Sequence, residues 1–596
     1  MKKQPREKEV LLMKENRQGR KYSPQSRPGP RPKTKGDRPL RTQSTGTNKL
    51  KVIPIGGLHE IGKNMTLLEY GDDIMIIDCG LAFPDDEMLG IDIVIPDFTY
   101  LMNNKDKIRG MIITHAHEDH IGAVPYFLKT FNIPIYGTRL TVGFIKNKLI
   151  EHKLQGDLHE VTPGDTIKMG CFTVETIHTT HSVADALCLA IDTPVGKVFH
   201  TGDFKIDYTP ADGEPIDFGR LAAIGNEGVL LMLADSTNAG RKGYTASEKT
   251  VGVALGNIFR GNPHRIIIAT FSSNVHRVQK IMETAIENGR KISVSGRSME
   301  NMVRIATELG YLNIDPIHFV DLKQTKSMKD SQFVIITTGS QGEPMSALTR
   351  MANNEHRAVQ IRKGDVVILS STPVPGNEKT VSNVVNALLE KGADVIYNDI
   401  ADTHVSGHAC EEELKLIHTL IRPKFFMPVH GEFKHLRSHA LIAESMGMPP
   451  ENIFYMTNGD ILEVTPDKAR RSGATVPCSP VMVDGLGVGD VGSVVLNERK
   501  YLSEAGLIVI VAAFQSSTGA LLSGPDLISR GFVYVRENND LMTEAKLYME
   551  EVLMHSMDEG VKDRQALKNA LRESLRTFIY KRTKRNPVIL PIFLDI

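Results

Sequence analysis

From residue 51 onward, short apolar runs alternate with polar breaks, and the way each run ends is as informative as the run itself. Segments 51–55, 65–70, 74–77, 111–114 and 197–200 are brief and rich in Ile, Leu, Val and Met, which predicts buried strands. Three of them run straight into polar residues: 74–77 into Asp78-Cys79-Gly80, 111–114 into His115, and 197–200 into Thr201-Gly202-Asp203. Strands that stop in reactive side chains are typical of layered α/β folds, whose sites sit at strand ends. An amphipathic helix is expected over 123–130. A second α/β texture starts near 230, with strands at 230–234, 265–270, 291–295, 333–338 and 366–370. Helical segments at about 247–260, 274–288, 298–309 and 378–391 alternate with them, which predicts a parallel sheet with crossover helices. A strand at 395–398, a helix at 411–421 and a strand at 425–429 follow, the last running into His430. The stretch 466–482, with Pro466, Pro477 and Pro480, reads as a linker. The final segment predicts strands at 506–513, 531–536 and 588–594 around helices at 540–557 and 561–582.

Composition changes this picture mainly at one end. Residues 1–49 hold 15 Lys and Arg against 4 acids, with six prolines and almost no large apolar side chains beyond 10–13. Such a segment buries too little surface to offset its ordering entropy, so a disordered basic arm is expected. A polyanion such as RNA suits it; a solubility tail or a tether to an acidic protein is the plainer alternative. The whole chain is neutral, so the rest carries the opposite surplus of 11. At 596 residues, three to four domains are expected. No apolar stretch approaches the ~20 residues that cross a bilayer, and none near the start resembles a signal peptide. Five cysteines, at 79, 171, 188, 410 and 478, form no C-x-x-C pair. A cytoplasmic protein without a membrane partner is expected.

The chemistry concentrates in THAHEDHIG, residues 114–122. On an extended chain His115 and His117 project to one side, and Asp119 and His120 follow in the next turn. Two imidazoles on one centre and a carboxylate plus imidazole on another would serve two metal ions. Nitrogen and oxygen donors without thiolate suit Zn²⁺, with Mn²⁺ as the alternative. A lone histidine is usually a satisfied core or surface residue; four ligand-type side chains in six positions at a strand end are not.

The H-x-H-x-D-H pattern resembles the metallo-β-lactamase superfamily. That resemblance implies an Asp at the end of an earlier strand, a distal His and a later bridging Asp, which Asp78, His181 and Asp203 supply in order. His178 rivals His181; the family pattern of His followed by Ser favours His181. Asp78 is expected to orient the histidine loop, and His200 to pack behind it. The last histidine of the set, His430, comes 227 residues after Asp203, with the second α/β texture between them. This spacing resembles the β-CASP nucleases, in which a cap domain interrupts the core; Asp235 in LADSTNAG matches their first cap motif. TFSSNVHRVQ (270–279), SGRSMENMV (295–303), TTGSQGEPMSAL (337–348), SSTPVPGNE (370–378), DTHVSGHA (402–409) and PVHGEFKHL (428–436) then resemble the bacterial ribonuclease J family. The likeness runs from about residue 51 to the C-terminus.

The resemblance implies an αββα metallo-β-lactamase sandwich at 50–228 and 391–465 and a β-CASP insert at 229–390. A linker at 466–484 and a small α/β domain at 485–596 that aids dimerisation complete it. It assigns His115, His117 and His181 to one metal and Asp119, His120 and His430 to the other, with Asp203 between them. Phosphodiester hydrolysis needs an activated water and charge relief at phosphorus, which paired divalent ions supply. Asp119 and Asp203 are thus expected to be catalytic. His404, Val405, Ser406, Gly407 and His408 would contact the substrate backbone, with His408 stabilising the scissile phosphate or protonating the leaving oxygen. Ser406 would serve equally as an N-cap of the helix at 411. GSQGEP at 339–344, with Ser340, would cradle a 5′-monophosphate, with Arg297 or Ser298 beside it. Asp484 would belong to a structural Ca²⁺ site found in some relatives.

The activity expected from the family is 5′-to-3′ exonuclease plus endonuclease action on single-stranded RNA, in RNA maturation and decay. A homodimer or tetramer, a paralogous partner or a degradation complex would accompany it. A DNA-directed β-CASP nuclease, a non-catalytic RNA-binding scaffold and a small-molecule metallohydrolase are the competing readings. The complete ligand set argues against the scaffold, and the large insert against the small-molecule enzyme.

Overall fold

The computed structural model describes residues 49–596 apart from 86, 212, 344, 374–376, 398–402, 533–538 and 562. The basic arm expected over 1–49 lies outside these residues except for Lys49, whose ammonium meets Glu463 at 2.8 Å. Most of the strand expected at 531–536 lies outside them too.

Two sheets packed face to face form the core. The first has eight strands, in spatial order Ala469–Thr475, Asp460–Val464, Leu50–Gly56, Met65–Tyr70, Asp73–Ile77, Ile108–Ile112, Pro134–Thr138 and Asp157–Val161. The second has six: Phe425–Val429, Leu231–Asp235, Gly196–His200, Leu187–Thr193, Phe172–His178 and Thr166–Met169. Alternate positions sort the side chains between layers. Leu68, Met75, Ile77 and Ile112 of the first sheet meet Phe172, Leu189, Val198, Leu233 and Met427 of the second. The outward residues Ile53, Leu67, Ile76 and Met111 are covered by Phe127, Ile145 and Leu149 from helices. On the far side, Phe199, Met232 and Phe426 lie under Leu221, Ile224, Leu414 and Ile417. This is the αββα sandwich that the motifs implied.

A five-stranded parallel sheet follows, ordered Lys291–Ser295, Phe333–Thr337, Ile266–Ala269, Val366–Leu369 and Asp394–Ile396. Its crossover helices Glu248–Phe259, Val275–Glu287, Arg297–Glu308 and Glu378–Glu390 fall within a residue or two of the expected ranges. The strand expected to open this second sheet does not belong to it. Leu231–Asp235 sits in the core sheet, parallel to Gly196–His200 and Phe425–Val429. Conversely Asp394–Ile396, expected to mark the return to the core, pairs with the insert strand Val366–Leu369. A strand buried on both faces carries the same apolar signature in either sheet, so pattern alone cannot place it.

The proline-containing stretch 466–482 is not structureless: Ala469–Thr475 adds an edge strand to the first core sheet, and Val481–Asp484 pairs with Ile93–Ile95. Beyond it, Leu507–Phe514 lies between Leu521–Arg530 and Val588–Asp595, under helices Asn539–Asp558 and Arg564–Thr583. Ile508, Ile510, Ala512 and Phe514 alternate into that small core.

Candidate metal centre

Six strands end at the same edge of the sandwich and deliver one cluster of side chains. Ile77 leads into Asp78, Ile112 into the 114–120 segment, His178 into His181, His200 into Asp203, and Val429 into His430; Asp235 closes its own strand. The histidine strand ends at Ile112, earlier than expected, and Asp119 and His120 lie on a one-turn helix, Glu118–Ile121.

The donor atoms form two groups that share Asp203: His115, His117, His181 and Asp203, and Asp119, His120, Asp203 and His430. In the first, His117 Nδ1 lies 3.1 Å from both His115 Nε2 and His181 Nε2. Asp203 Oδ2 is 3.6 Å from His115 Nε2 and 4.0 Å from His181 Nε2. Each ring's other nitrogen faces a protein oxygen: His115 Nδ1 meets Thr114 Oγ1 at 3.0 Å, and His181 Nδ1 donates to Gly407 O at 2.7 Å. His117 Nε2 meets Ser182 Oγ at 3.4 Å. With protons on these outer nitrogens, three lone pairs converge. Donors held at ~2.0–2.1 Å by one tetrahedral ion lie roughly 3.3 Å apart, so the spacing fits a metal. Burial holds all three imidazoles uncharged, with His117 pushed down to about 4 and His115 and His181 well below their ordinary value.

In the second group Asp203 Oδ2 is 3.2 Å from His120 Nε2 and 3.4 Å from His430 Nε2, and Asp119 Oδ2 is 3.2 Å from His430 Nε2. Asp78 orients this half. Its Oδ2 accepts from His120 Nδ1 at 2.8 Å, and its Oδ1 accepts from Thr114 N at 2.7 Å. Thr237 Oγ1 holds His430 Nδ1 at 2.6 Å, and Asn64 Nδ2 donates to Asp119 Oδ2 at 3.2 Å. Burial opposes charge on His120 and His430, but Asp203, with Asp119 and other carboxylates, outweighs it. The His120 pKa is raised, and that of His430 is pushed up to about 9. Burial likewise opposes ionisation of Asp119 and Asp203, yet the histidines hold both carboxyls below their usual range. The protons here occupy positions that a divalent cation would take, so a cation bound at this half would displace them.

His408 approaches from a third side. Its Nδ1 donates to Asp235 Oδ2 at 2.8 Å, leaving Nε2 free, and burial loses to Asp235 in raising its pKa. Asp203, Asp235, His408 and His430 form a third group of converging donors. The rest of the 404–408 loop is braced. Ser406 Oγ accepts from Asn238 Nδ2 at 2.8 Å and from His408 N at 3.2 Å. It does not cap the following helix, whose N-cap is Cys410. A side chain at Gly407 would meet the His181 ring at 2.5 Å, so only glycine fits there. Arg277, wholly buried, donates to His404 Nδ1 at 2.7 Å, to Val405 O at 3.2 Å and to both oxygens of Glu248. His404 Nδ1 is then an acceptor and Nε2 carries the proton. Burial and Arg277 keep the ring neutral, far below its ordinary pKa.

Other expected residues lie elsewhere. His178 Nε2 bonds Glu214 O at 2.9 Å, outside both groups. His200 Nδ1 accepts from Gly202 N at 2.9 Å, behind Asp203. Ser340 is buried in the insert, where its carbonyl accepts from Ser371 Oγ at 3.3 Å. Arg297 begins the helix Arg297–Glu308. Asp484 pairs with Arg499 and lies outside the donor groups found among the described residues. Thr114, Thr237, Asn64 and Arg277 escaped the sequence reading. Only the position of Thr237, two residues after Asp235, hinted at its role.

Residues 60–247 match the metallo-β-lactamase superfamily, and 263–388 the ribonuclease J β-CASP domain. Residues 392–456 match a Zn-dependent metallo-hydrolase RNA specificity domain, and 494–596 the ribonuclease J C-terminal domain. Ribonuclease J 1 of Streptococcus pyogenes is 44% identical over 92% of this chain and 98% of its own length. The chain belongs to the ribonuclease J family. Within the family, ribonuclease J2 of Bacillus subtilis is 40% identical over 92% of this chain and 99% of its own. Ribonuclease J of Thermus thermophilus is 41% identical over 93% and 96%. A crystal structure titled as a protein of unknown function from Enterococcus faecalis covers 70% of this chain and 100% of its own. It has a TM-score of 0.50 and 17% identity, and supports the fold alone. No helix among the described residues is long and apolar enough to cross a membrane.

Proposed function

We propose that this chain hydrolyses phosphodiester bonds of single-stranded RNA with two zinc ions, or manganese in their place. On this reading it trims from 5′-monophosphate ends and also cuts internally, in RNA maturation and decay. The observation that carries the reading is Asp203 Oδ2, which faces one set of three histidines and a second set of Asp119, His120 and His430. His115, His117 and His181 would hold one ion and Asp119, His120 and His430 the other, with Asp203 common to both. When bound, the ions supply an activated water and neutralise charge on the phosphate.

The chain's own residues do the rest. His404 presents a neutral Nε2–H donor to a phosphate oxygen, and Gly407 lets the loop approach closely. His408, whose pKa Asp235 raises against burial, would deliver a proton from Nε2 to the departing 3′-oxygen. Asp235 orients that ring and sustains its charge. The insert loop at Ser340 would receive the 5′-phosphate.

Digestion of one RNA sequence bearing a 5′-monophosphate, triphosphate or hydroxyl tests this, with a DNA of the same sequence alongside. The 5′-monophosphate RNA should yield mononucleotides fastest and the DNA should persist. Equal cleavage of DNA and RNA would contradict the substrate assignment.

A further inference from the structure

Three aromatic rings lie open to solvent beside the cavity that the centre lines, and the chemistry above leaves them without a role. Leu58 and His430 line that cavity; His59 follows the first directly, and Phe433 lies three residues past the second. Phe433 is 49% exposed and Tyr455 36%, and His59 is exposed as well. The rings touch one another: His59 and Phe433 have centroids 5.2 Å apart, and Phe433 and Tyr455 6.3 Å. Contiguous exposed rings on segments that also line the cavity mark a binding surface more than a packing accident.

The backbone presents this group under constraint. His59 has φ 61°, a left-handed conformation that non-glycine residues seldom adopt. Its loop is braced on both sides. Leu58 N donates to Asn458 Oδ1 at 3.1 Å, while Asn458 Nδ2 donates to Leu58 O at 3.1 Å and Glu60 Oε1 at 2.7 Å. Gly431 N donates to Gly57 O at 3.3 Å, tying the loop to the segment that carries His430. The imidazole is thus held out over Phe433 by a loop fixed to the centre itself.

Resting on the reading of the substrate as single-stranded RNA, we propose that His59, Phe433 and Tyr455 form a stacking platform for one unpaired nucleobase. Every base offers a π-face, so such a platform grips the strand without reading its sequence. It approaches the centre from the loop after strand Leu50–Gly56, whereas the 404–408 loop approaches through Val405, which is buried in the insert's core.

The test uses the intact chain and RNA oligomers in which a single abasic residue is walked along the sequence. One position should stand out, where loss of the base raises KM about tenfold. That sensitivity should vanish in Phe433→Leu and His59→Gly and return in Phe433→Tyr. If the RNA is cleaved and no position stands out, the platform is wrong while the ribonuclease reading stands. Equal weakening of intact and abasic oligomers by Phe433→Leu would also overturn it. If no oligomer is cleaved with divalent ions present, the ribonuclease reading falls and the platform with it.

Discussion

At the residue scale, the centre depends on which nitrogen of each histidine carries its proton. Asp78 decides this for His120: it accepts from Nδ1 at 2.8 Å and leaves Nε2 facing Asp203. Asp78→Asn can still accept, but it no longer balances a positive ring or sharpens its basicity. Cleavage or metal affinity should fall roughly 10–100-fold, with the melting temperature little changed. Metal titration and cleavage rate measured on the same sample check this; an unchanged affinity would remove Asp78 from the role. The converging donor residues were legible because histidines and aspartates crowded at strand ends are rare. Thr114, Thr237 and Asn64 were not, because single residues of common types acquire meaning only from the atoms that face them.

At the scale of elements, the helix Val275–Glu287 reaches across to the 404–408 loop through Arg277. The guanidinium pairs with buried Glu248, so removing it outright would leave an unpaired buried charge costing about 3–5 kcal/mol. Arg277→Lys keeps the charge and loses the fork that fixes the His404 tautomer. Single-turnover cleavage should drop about ten- to a hundredfold, the worth of one charged hydrogen bond. Full activity in a folded variant would contradict the tautomer argument.

The helices Glu411–Ile421 and Phe433–Ser445 meet through a second pair, His418 and His439, whose Nε2 atoms are 3.2 Å apart. Burial pushes His418 down to about 4 and His439 well below its ordinary value. Unfolded, each takes up a proton near pH 6.5. Between pH 6.5 and about 4 the unfolded chain therefore binds more protons, and stability falls as pH drops. His418 alone should cost about 2 kcal/mol by pH 5. Urea unfolding at pH 7.5 and 5 should show a smaller acid loss in His418→Gln than in the natural chain. Equal losses would mean that His418 is not held neutral.

Element boundaries were legible wherever apolar runs were compact, as at Lys291–Ser295 and Phe425–Val429. They were lost where they were not. Ala469–Thr475 is mostly exposed and carries no apolar alternation, and Leu521–Arg530 contains a Gly-Pro step that reads as a break.

At the scale of the whole molecule, the insert is part of the centre's wall. Ala116, Val183, Ala184 and Val405, which flank His115, His117, His181 and His404, are buried in the same hydrophobic cluster as Ile266, Val334 and Ile368. The loops that carry the donor residues therefore take their positions partly from a sheet that lies between Asp203 and His430 in the chain. Such long-range packing leaves no local pattern, so the assignment of Leu231–Asp235 needed the fold, whereas the order of the motifs did not.

Asp203 belongs to both donor groups and, as proposed, would serve two cations at once. Elemental analysis of active, natural chain and of Asp203→Ala tests that directly. Two divalent ions per natural chain are expected, with both occupancy and RNA cleavage lost in the variant. Full cleavage by a chain holding one ion or none would contradict the account.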